Sequence, residues 1–277
     1  MMIIKSTGER VPFRAEKISE TLRRIGAKEE TIQHVAQKVT SRVRDGMTTR
    51  DVHRIVRKEL HREDRCMAHR YNLRSGLLKL GPAGFKFEKY VASILQAYQY
   101  AALVPDGEMR GLCVMHEVDV IAEKNGRRML IEAKFRNKFD DPVTLKDALA
   151  TWARFGDLQD GAKAGTCPKF DEVWIVTNGR FSDRAAQFGT CKGMRMVDWG
   201  SPDHSLARMV DHAVLYPVTV LEGLRQWELE RFSDKGLMLC RQLTTKKPTQ
   251  LAQATGISGD RAAAIISECK EIVAERH

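Results

Sequence analysis

Glu117-Val118-Asp119-Val120-Ile121-Ala122-Glu123-Lys124-Asn125-Gly126-Arg127-Arg128-Met129-Leu130-Ile131-Glu132-Ala133-Lys134 reads as two strands joined by a turn. Asn-Gly between two apolar runs is the strongest short hairpin signal, because a type I′ turn needs positive φ at both central residues. With Asn125-Gly126 as that turn, Lys124 pairs with Arg127 and paired residue numbers sum to 251. Asp119 then falls opposite Glu132, and Glu117 opposite Lys134. Side chains alternate between the faces of a strand. Glu117, Asp119, Glu132 and Lys134 are therefore expected on one face, with Val118, Val120, Ile131, Ala133 and Phe135 filling the other as core.

Two carboxylates directly opposite one another are unfavourable in a sheet unless something compensates them. A divalent cation does so: Mg²⁺ (or Mn²⁺) takes one or two carboxylates and completes its shell with water and substrate phosphate. Lys134, two residues beyond Glu132, is placed to hold or deprotonate an attacking water and to offset developing negative charge. That is equipment for hydrolysing a phosphodiester. A lone Glu-x-Lys is more often a solvated strand face; the opposed Asp119 and the hairpin register favour chemistry.

Outward from the hairpin, strands and helices mix as in an α/β (α+β) core. A helix is expected over residues 85–98, strands over 112–122 and 128–135, and a helix over 145–155. A strand over 173–177, a helix over 182–188 and a strand over 194–197 follow. The uncharged stretch 90–104 is too short to span a bilayer and carries Gln96 and Gln99, so it reads as a buried helix. The cluster Gly81-Pro82-Ala83-Gly84 marks a boundary in front of this core, and Pro217 opens a mainly helical tail. The expected domains are 1–80, 81–217 and 218–277.

The acid–acid–lysine set resembles the Asp…Glu-x-Lys motif of PD-(D/E)xK nucleases, and in particular the Mrr-like restriction endonuclease branch, over about residues 80–217. Gly84-Phe85-Lys86-Phe87-Glu88-Lys89-Tyr90-Val91 resembles the opening helix of that branch, whose glutamate lies near the metal; Glu88 is the matching position. Val173-Trp174-Ile175-Val176-Thr177-Asn178-Gly179-Arg180-Phe181-Ser182 resembles its later strand and turn, where Thr177 and Asn178 serve structure or lie close to the DNA. The branch often has Glu-Cys-Lys where this chain has Glu132-Ala133-Lys134, a change on the core side of the strand. The resemblance implies a restriction-endonuclease-like mixed sheet flanked by helices. It also implies Mg²⁺-dependent hydrolysis of DNA, with Asp119 and Glu132 as metal ligands and Lys134 and Glu88 completing the catalytic set. Nucleases that cut both strands often pair two active sites, so a homo-oligomer, such as a dimer, is expected.

Residues 1–80 hold 19 Lys and Arg against 10 Asp and Glu, whereas residues 81–217 hold 18 of each. Nearly all of the net charge of +10 thus sits in the N-terminal segment, a field that attracts polyanions. Apolar residues recur there at helical spacing: Ile18, Leu22 and Ile25; Val35, Val39 and Val43; Val52, Val56 and Leu60, the last series capped by Thr48 or Thr49. No GxxxxGK[ST] loop exists in the chain, so a nucleotide site must be built otherwise. Ile4-Lys5-Ser6-Thr7-Gly8, Pro12-Phe13-Arg14-Ala15-Glu16-Lys17-Ile18, Met47-Thr48-Thr49-Arg50-Asp51-Val52-His53 and Ala68-His69-Arg70-Tyr71 resemble the ATP-cone domain found at the front of ribonucleotide reductases and of the repressors of their genes. That resemblance implies a small, mainly helical module that binds ATP or dATP without hydrolysing it. Lys5 and Lys17 would contact the triphosphate, Thr49 and His53 lie near the base or ribose, and Ile4 line the base pocket.

Six scattered cysteines form no CxxC pair, which suits neither zinc nor a disulfide framework; with no apolar leader, they fit a reducing cytoplasm. Residues 251–266 faintly resemble a helix–hairpin–helix, a motif that offers backbone N–H groups to a DNA phosphate; a small bundle packed on its neighbours explains the pattern equally well. Two functions compete on this reading. One is a metal-dependent DNA endonuclease regulated by ATP or dATP, with a restriction or defence role. The other is a non-catalytic, nucleotide-sensing DNA-binding regulator. An enzyme of nucleotide metabolism lacks support, since no reductase cysteine pattern occurs.

Overall fold

A computed structural model of the chain describes residues 1–5, 7–81, 85–138, 141–201, 203–221 and 223–274. Ser6 of the opening motif, and Pro82, Ala83 and Gly84 of the expected boundary, lie outside them. The chain divides into two compact units, Met1–Leu73 with Glu271–His277, and Arg74–Lys270. No helix among the described residues is long and apolar enough to cross a membrane.

In the first unit β1 (Met2–Ile4) pairs antiparallel with β2 (Arg10–Pro12). Helices α1 (Ala15–Arg24), α2 (Glu29–Arg42) and α3 (Thr49–Glu63) follow, and α4 (Arg65–Leu78) begins here. The three periodic series meet as predicted: Ile18 and Leu22, Val35, Val39 and Val43, and Val52, Val56 and Leu60 form one core, against which Ile25 packs half-buried. Thr48 is the N-cap of α3. Its hydroxyl accepts from the Asp51 N–H while the Asp51 carboxylate accepts from the Thr48 N–H, a reciprocal pair that satisfies two otherwise orphaned donors. The strand β2 is unexpected from sequence; it has three residues, one a proline, and no periodic signal.

The second unit is built on a five-stranded mixed sheet in the order β3 (Ala101–Leu103), β6 (Val120–Lys124), β7 (Arg127–Lys134), β8 (Glu172–Thr177), β9 (Arg195–Val197). Pairing is antiparallel from β3 to β7 and parallel from β7 to β9. Asn125 and Gly126 have φ of 52° and 73°, the two positive values the turn requires. The pairing runs from Lys124 with Arg127 to Val120 with Ile131, the predicted register. Helices α6 (Leu145–Lys163) and α7 (Asp183–Cys191) cover one face, where Leu130, Val173 and Ile175 meet Ala148, Phe155, Leu158 and Ala185. Helix α5 (Phe87–Ala97) packs on the other, with Phe87 against Phe135 at 5.5 Å between ring centres. Both faces are therefore core, and acids can reach water only at the ends of strands.

Three expectations need correction. The strand expected over 112–122 is broken: β4 (Met109–Arg110) and β5 (Met115–His116) form a separate hairpin, and the backbone bends at Asp119 before β6 starts. Val118 consequently joins the cluster of Leu130 and Ile175 rather than packing beside Val120. The buried helix expected over 90–104 ends at Ala97, because Gln99 takes φ 66° and Ala101–Leu103 turns away to pair with β6. The helix α8 (Leu206–His212), capped by Ser205, was not foreseen.

The tail opens on a 3-10 turn, Val218–Val220, and continues in α9 (Gln226–Asp234), α10 (Cys240–Thr244), α11 (Pro248–Thr255) and α12 (Gly259–Ala274). The first tail helix starts only at Gln226, since Leu221 is extended and Gly223 has φ 68°. Gly256, at φ 75°, ends α11 in the left-handed conformation that glycine favours. Arg261, in the first turn of α12, is turned onto the buried Glu228 at 2.8 Å.

The β4–β5 hairpin is fastened to α6 by one carboxylate. Asp157 accepts from the Cys113 N–H at 2.8 Å, from the Val114 N–H at 3.3 Å, and bonds the His116 ring at 2.7 Å. These donors hold its carboxyl well below the ordinary 3.8. A carboxyl with a depressed folded-state pKa stabilises fully above its unfolded value and loses that contribution as pH falls toward the folded one. Asp157→Asn should therefore unfold at lower urea than the wild type at pH 7, with the gap closing as pH drops below 3.8. A gap independent of pH in urea titrations would rule out the charged carboxylate as the fastening.

Candidate active site and nucleotide site

Glu132 stands near the end of β7, the central strand of the sheet, and is 4% exposed. A carboxylate so buried needs partners. It has two: the Lys134 ammonium at 2.5 Å, and the Arg154 guanidinium from α6. Asp119, at the bend before β6, turns its carboxylate back onto β7 and accepts the Ala133 N–H at 2.7 Å. Burial, and then the charge of Glu132, push the Asp119 carboxyl up to about 6, against the pull of the Ala133 N–H, Lys134 and Arg154. Asp119, Glu132 and Lys134 are thus together, although Asp119 lies at the bend, outside the ladder that ends with Val120 opposite Ile131. Glu117 is not with them; the bend leaves it exposed and outside the ladder, and Lys134 meets Glu132 instead.

Arg154 is absent from the sequence reading, although a signal for it exists. The buried stripe of α6 runs through Ala148, Thr151, Phe155 and Leu158, and Arg154 lies beside it, one turn on from Thr151. A cation bordering the inward stripe of an amphipathic helix must find an acid or a route to water. The same helix anchors the strand end. Asp147, in the capping box of α6, also takes the Arg136 guanidinium at 2.9 Å. Asn178, fully buried, accepts from the Arg136 N–H at 2.7 Å and donates to the Arg136 carbonyl at 2.9 Å. Thr177 accepts from the Gly179 N–H. Asn178 thus ties the end of β7 to the end of β8, whereas the Thr177 bond stays within its own turn.

Glu88 lies half-buried in the first turn of α5, next to Phe87, which touches Phe135 just beyond Lys134. Among the described residues it makes no hydrogen bond or ion pair with Asp119, Glu132 or Lys134. No three His, Cys, Asp or Glu residues converge among the described residues as a protein-only cation cage would need. Asp119 and Glu132 are two hard oxygen donors, and their mutual repulsion is what a divalent cation relieves. With water and phosphate filling the other positions, this pair fits Mg²⁺ or Mn²⁺.

In the first unit, Ile4 bridges to Thr48 and donates its N–H to the Met47 carbonyl at 2.9 Å, which sets the end of β1 beside the start of α3. Thr49 and His53 follow one turn apart on α3. Ile4, Thr49 and His53 are thereby gathered at one helix start. Lys5 extends from the same strand and holds Glu9 at 2.7 Å. Lys17 is exposed on α1. Tyr71, in the last motif of the cone, stacks on His53 with ring centres 4.5 Å apart; burial pushes its hydroxyl well above its usual pKa.

Residues 1–75 match the ATP cone domain family, and residues 216–273 match the family described as AF1548-like, C-terminal. Over 168 residues the chain is 33% identical to an uncharacterized protein of Archaeoglobus fulgidus, covering 60% of this chain and 90% of that one. It is also similar to the crystal structure of AF1548, a protein of unknown function, with 30% identity and a TM-score of 0.56 over 68% of this chain and 98% of that one. The front of the chain is an ATP-cone domain, which supports nucleotide binding there.

Removing Arg154 leaves Glu132 buried with Lys134 alone. Breaking a fully buried pair costs about 3–5 kcal/mol; with Arg154 partly exposed and Lys134 retained, Arg154→Ala should cost about 1–3 kcal/mol in urea unfolding at pH 7. Unchanged unfolding would mean that the pair contributes nothing to the fold.

Proposed function

We propose that this chain, which belongs to the AF1548-like family and opens on an ATP-cone domain, is a metal-dependent deoxyribonuclease of the PD-(D/E)xK type, akin to the Mrr-like restriction endonucleases and controlled by ATP or dATP. One observation carries the reading: Asp119, Glu132 and Lys134 come together at the end of the central strand, with the Asp119 carboxyl raised to about 6 by burial and by Glu132. Perturbed carboxylates beside a lysine are what phosphodiester hydrolysis uses. Asp119 and Glu132 would hold the cation, which when bound supplies charge neutralisation at the phosphate. Lys134 would orient the attacking water and stabilise charge that develops on the phosphate oxygens. Arg154 would hold Glu132 in its rotamer. Glu88 would approach from the start of α5. A restriction or defence role, and pairing of two copies for double-strand cutting, accompany this reading.

A non-catalytic, nucleotide-sensing DNA-binding regulator is the second reading, and one observation favours it. Glu132 is already neutralised by two cations, as in a site that has become a structural ion cluster. Plasmid DNA in Mg²⁺ or Mn²⁺ separates the two. Nicking or linearisation is expected from the wild type and should fall about a hundredfold or more in Glu132→Ala and in Asp119→Ala. DNA binding without metal-dependent cleavage would establish the regulator instead.

The cone would bind ATP or dATP at the start of α3, with Ile4, Thr49 and His53 around the nucleoside and Lys5 and Lys17 on the phosphates. Ammonium groups complement phosphate as point charges. Lys5→Ala with Lys17→Ala should weaken ATP binding about tenfold by calorimetry, and nucleotide should change the cleavage rate of the wild type but not of the double variant. Equal affinity in both proteins would remove the lysines from the site.

A further inference from the structure

On the face of the sheet away from Glu132, an open groove of about 560 Å³ lies between the end of α5, strands β8 and β9, and α8. The register fixes its side. Glu132 pairs with Ile175, so Trp174, the neighbour of Ile175, points to the opposite face. Tyr98, Tyr100 and Trp174 supply aromatic rings, Tyr100 standing edge-on to Trp174 at 5.6 Å. Two arginines and two histidines join the rings, beside Val197, Ser205 and Met209. Arg195 sits over the Trp174 ring at 4.6 Å, and Arg208 donates to the Ser201 carbonyl at 3.2 Å. The histidines are His204 and His212, and Asp203 is the single acid among the lining residues.

Among the described residues, neither arginine nor either histidine pairs with a carboxylate. Two guanidinium groups in one concavity with a single acid leave a positive potential that an anion can neutralise. Aromatic walls beside them select anions that also carry a flat ring. We propose that this groove binds one nucleotide unit, its phosphate on Arg195 and Arg208 and its base against the tyrosines, taken from a free mononucleotide or from a single strand. A bare phosphate would not use the rings. This site stands apart from the acid–lysine cluster and does not depend on that cluster being active.

The probe is fluorescein-labelled dodecathymidylate, read by anisotropy on the full chain at low salt with EDTA present. Arg195→Ala with Arg208→Ala should weaken binding about tenfold, whereas Lys246→Ala with Lys247→Ala, which removes the same charge elsewhere, should leave it within about twofold. Thermal unfolding of each variant checks that it folds, and Arg208→Gln alone gives a milder second test. Competition by thymidine monophosphate would identify a mononucleotide site; competition by the unlabelled strand alone would identify a strand site. Equal weakening in both charge-removal variants, no weakening in the groove variant, or displacement by inorganic phosphate as effective as by thymidine monophosphate would overturn the proposal.

Discussion

Two positive φ angles at Asn125 and Gly126 close the tightest connection in the sheet, and that connection leaves the pairing of β6 and β7 no freedom to slip. A slip of one residue would turn every side chain of β7 to the other face. Leu130 would leave the α6 side, Ile131 would enter it, and Glu132 would point among the aromatic residues of α5. Because β7 also pairs with β8, the error would carry across the sheet. The meeting of Glu132, Lys134 and Arg154 therefore depends on a turn several residues away.

The electrostatics of that meeting follow from depth. Glu132 is almost wholly shielded from water, so charge must be brought to it, from two residues along its own strand and from a helix across the face. Asp119 sits at the margin of the same field. It keeps one strong donor, the Ala133 N–H, but burial and its anionic neighbour outweigh that donor and raise its affinity for a proton.

The hairpin, its register and the three apolar series of the first unit were legible in the sequence because each rests on local chemistry: an Asn-Gly turn, and spacings of three and four. The capping of α3 by Thr48 was legible for the same reason. Glu117 was misplaced because the register was extended past Val120, although a bend at Asp119 ends the ladder there; nothing in Glu-Val-Asp announces a bend. The helix expected over 90–104 failed because an uncharged run does not distinguish helix from edge strand, and Gln99 gives no warning of its left-handed conformation. Arg154 and Tyr71 act through partners far along the chain, Glu132 and His53, and only the folded structure brings them together.

The position of Glu132 on β7 also bears on how the site is maintained in time. A strand at the edge of a sheet can fray by losing one ladder, but β7 has a ladder on each side and a helix layer over each face. Exposing its carboxylate by local opening means parting both ladders, an event close to unfolding the whole sheet. The cluster is thus expected to share the lifetime of the domain, whereas the half-buried Asp119, at a bend outside the ladder, belongs to a segment able to open much sooner. Fluctuations at the site would then be one-sided, with a fixed anion on the strand and a moving one at the bend.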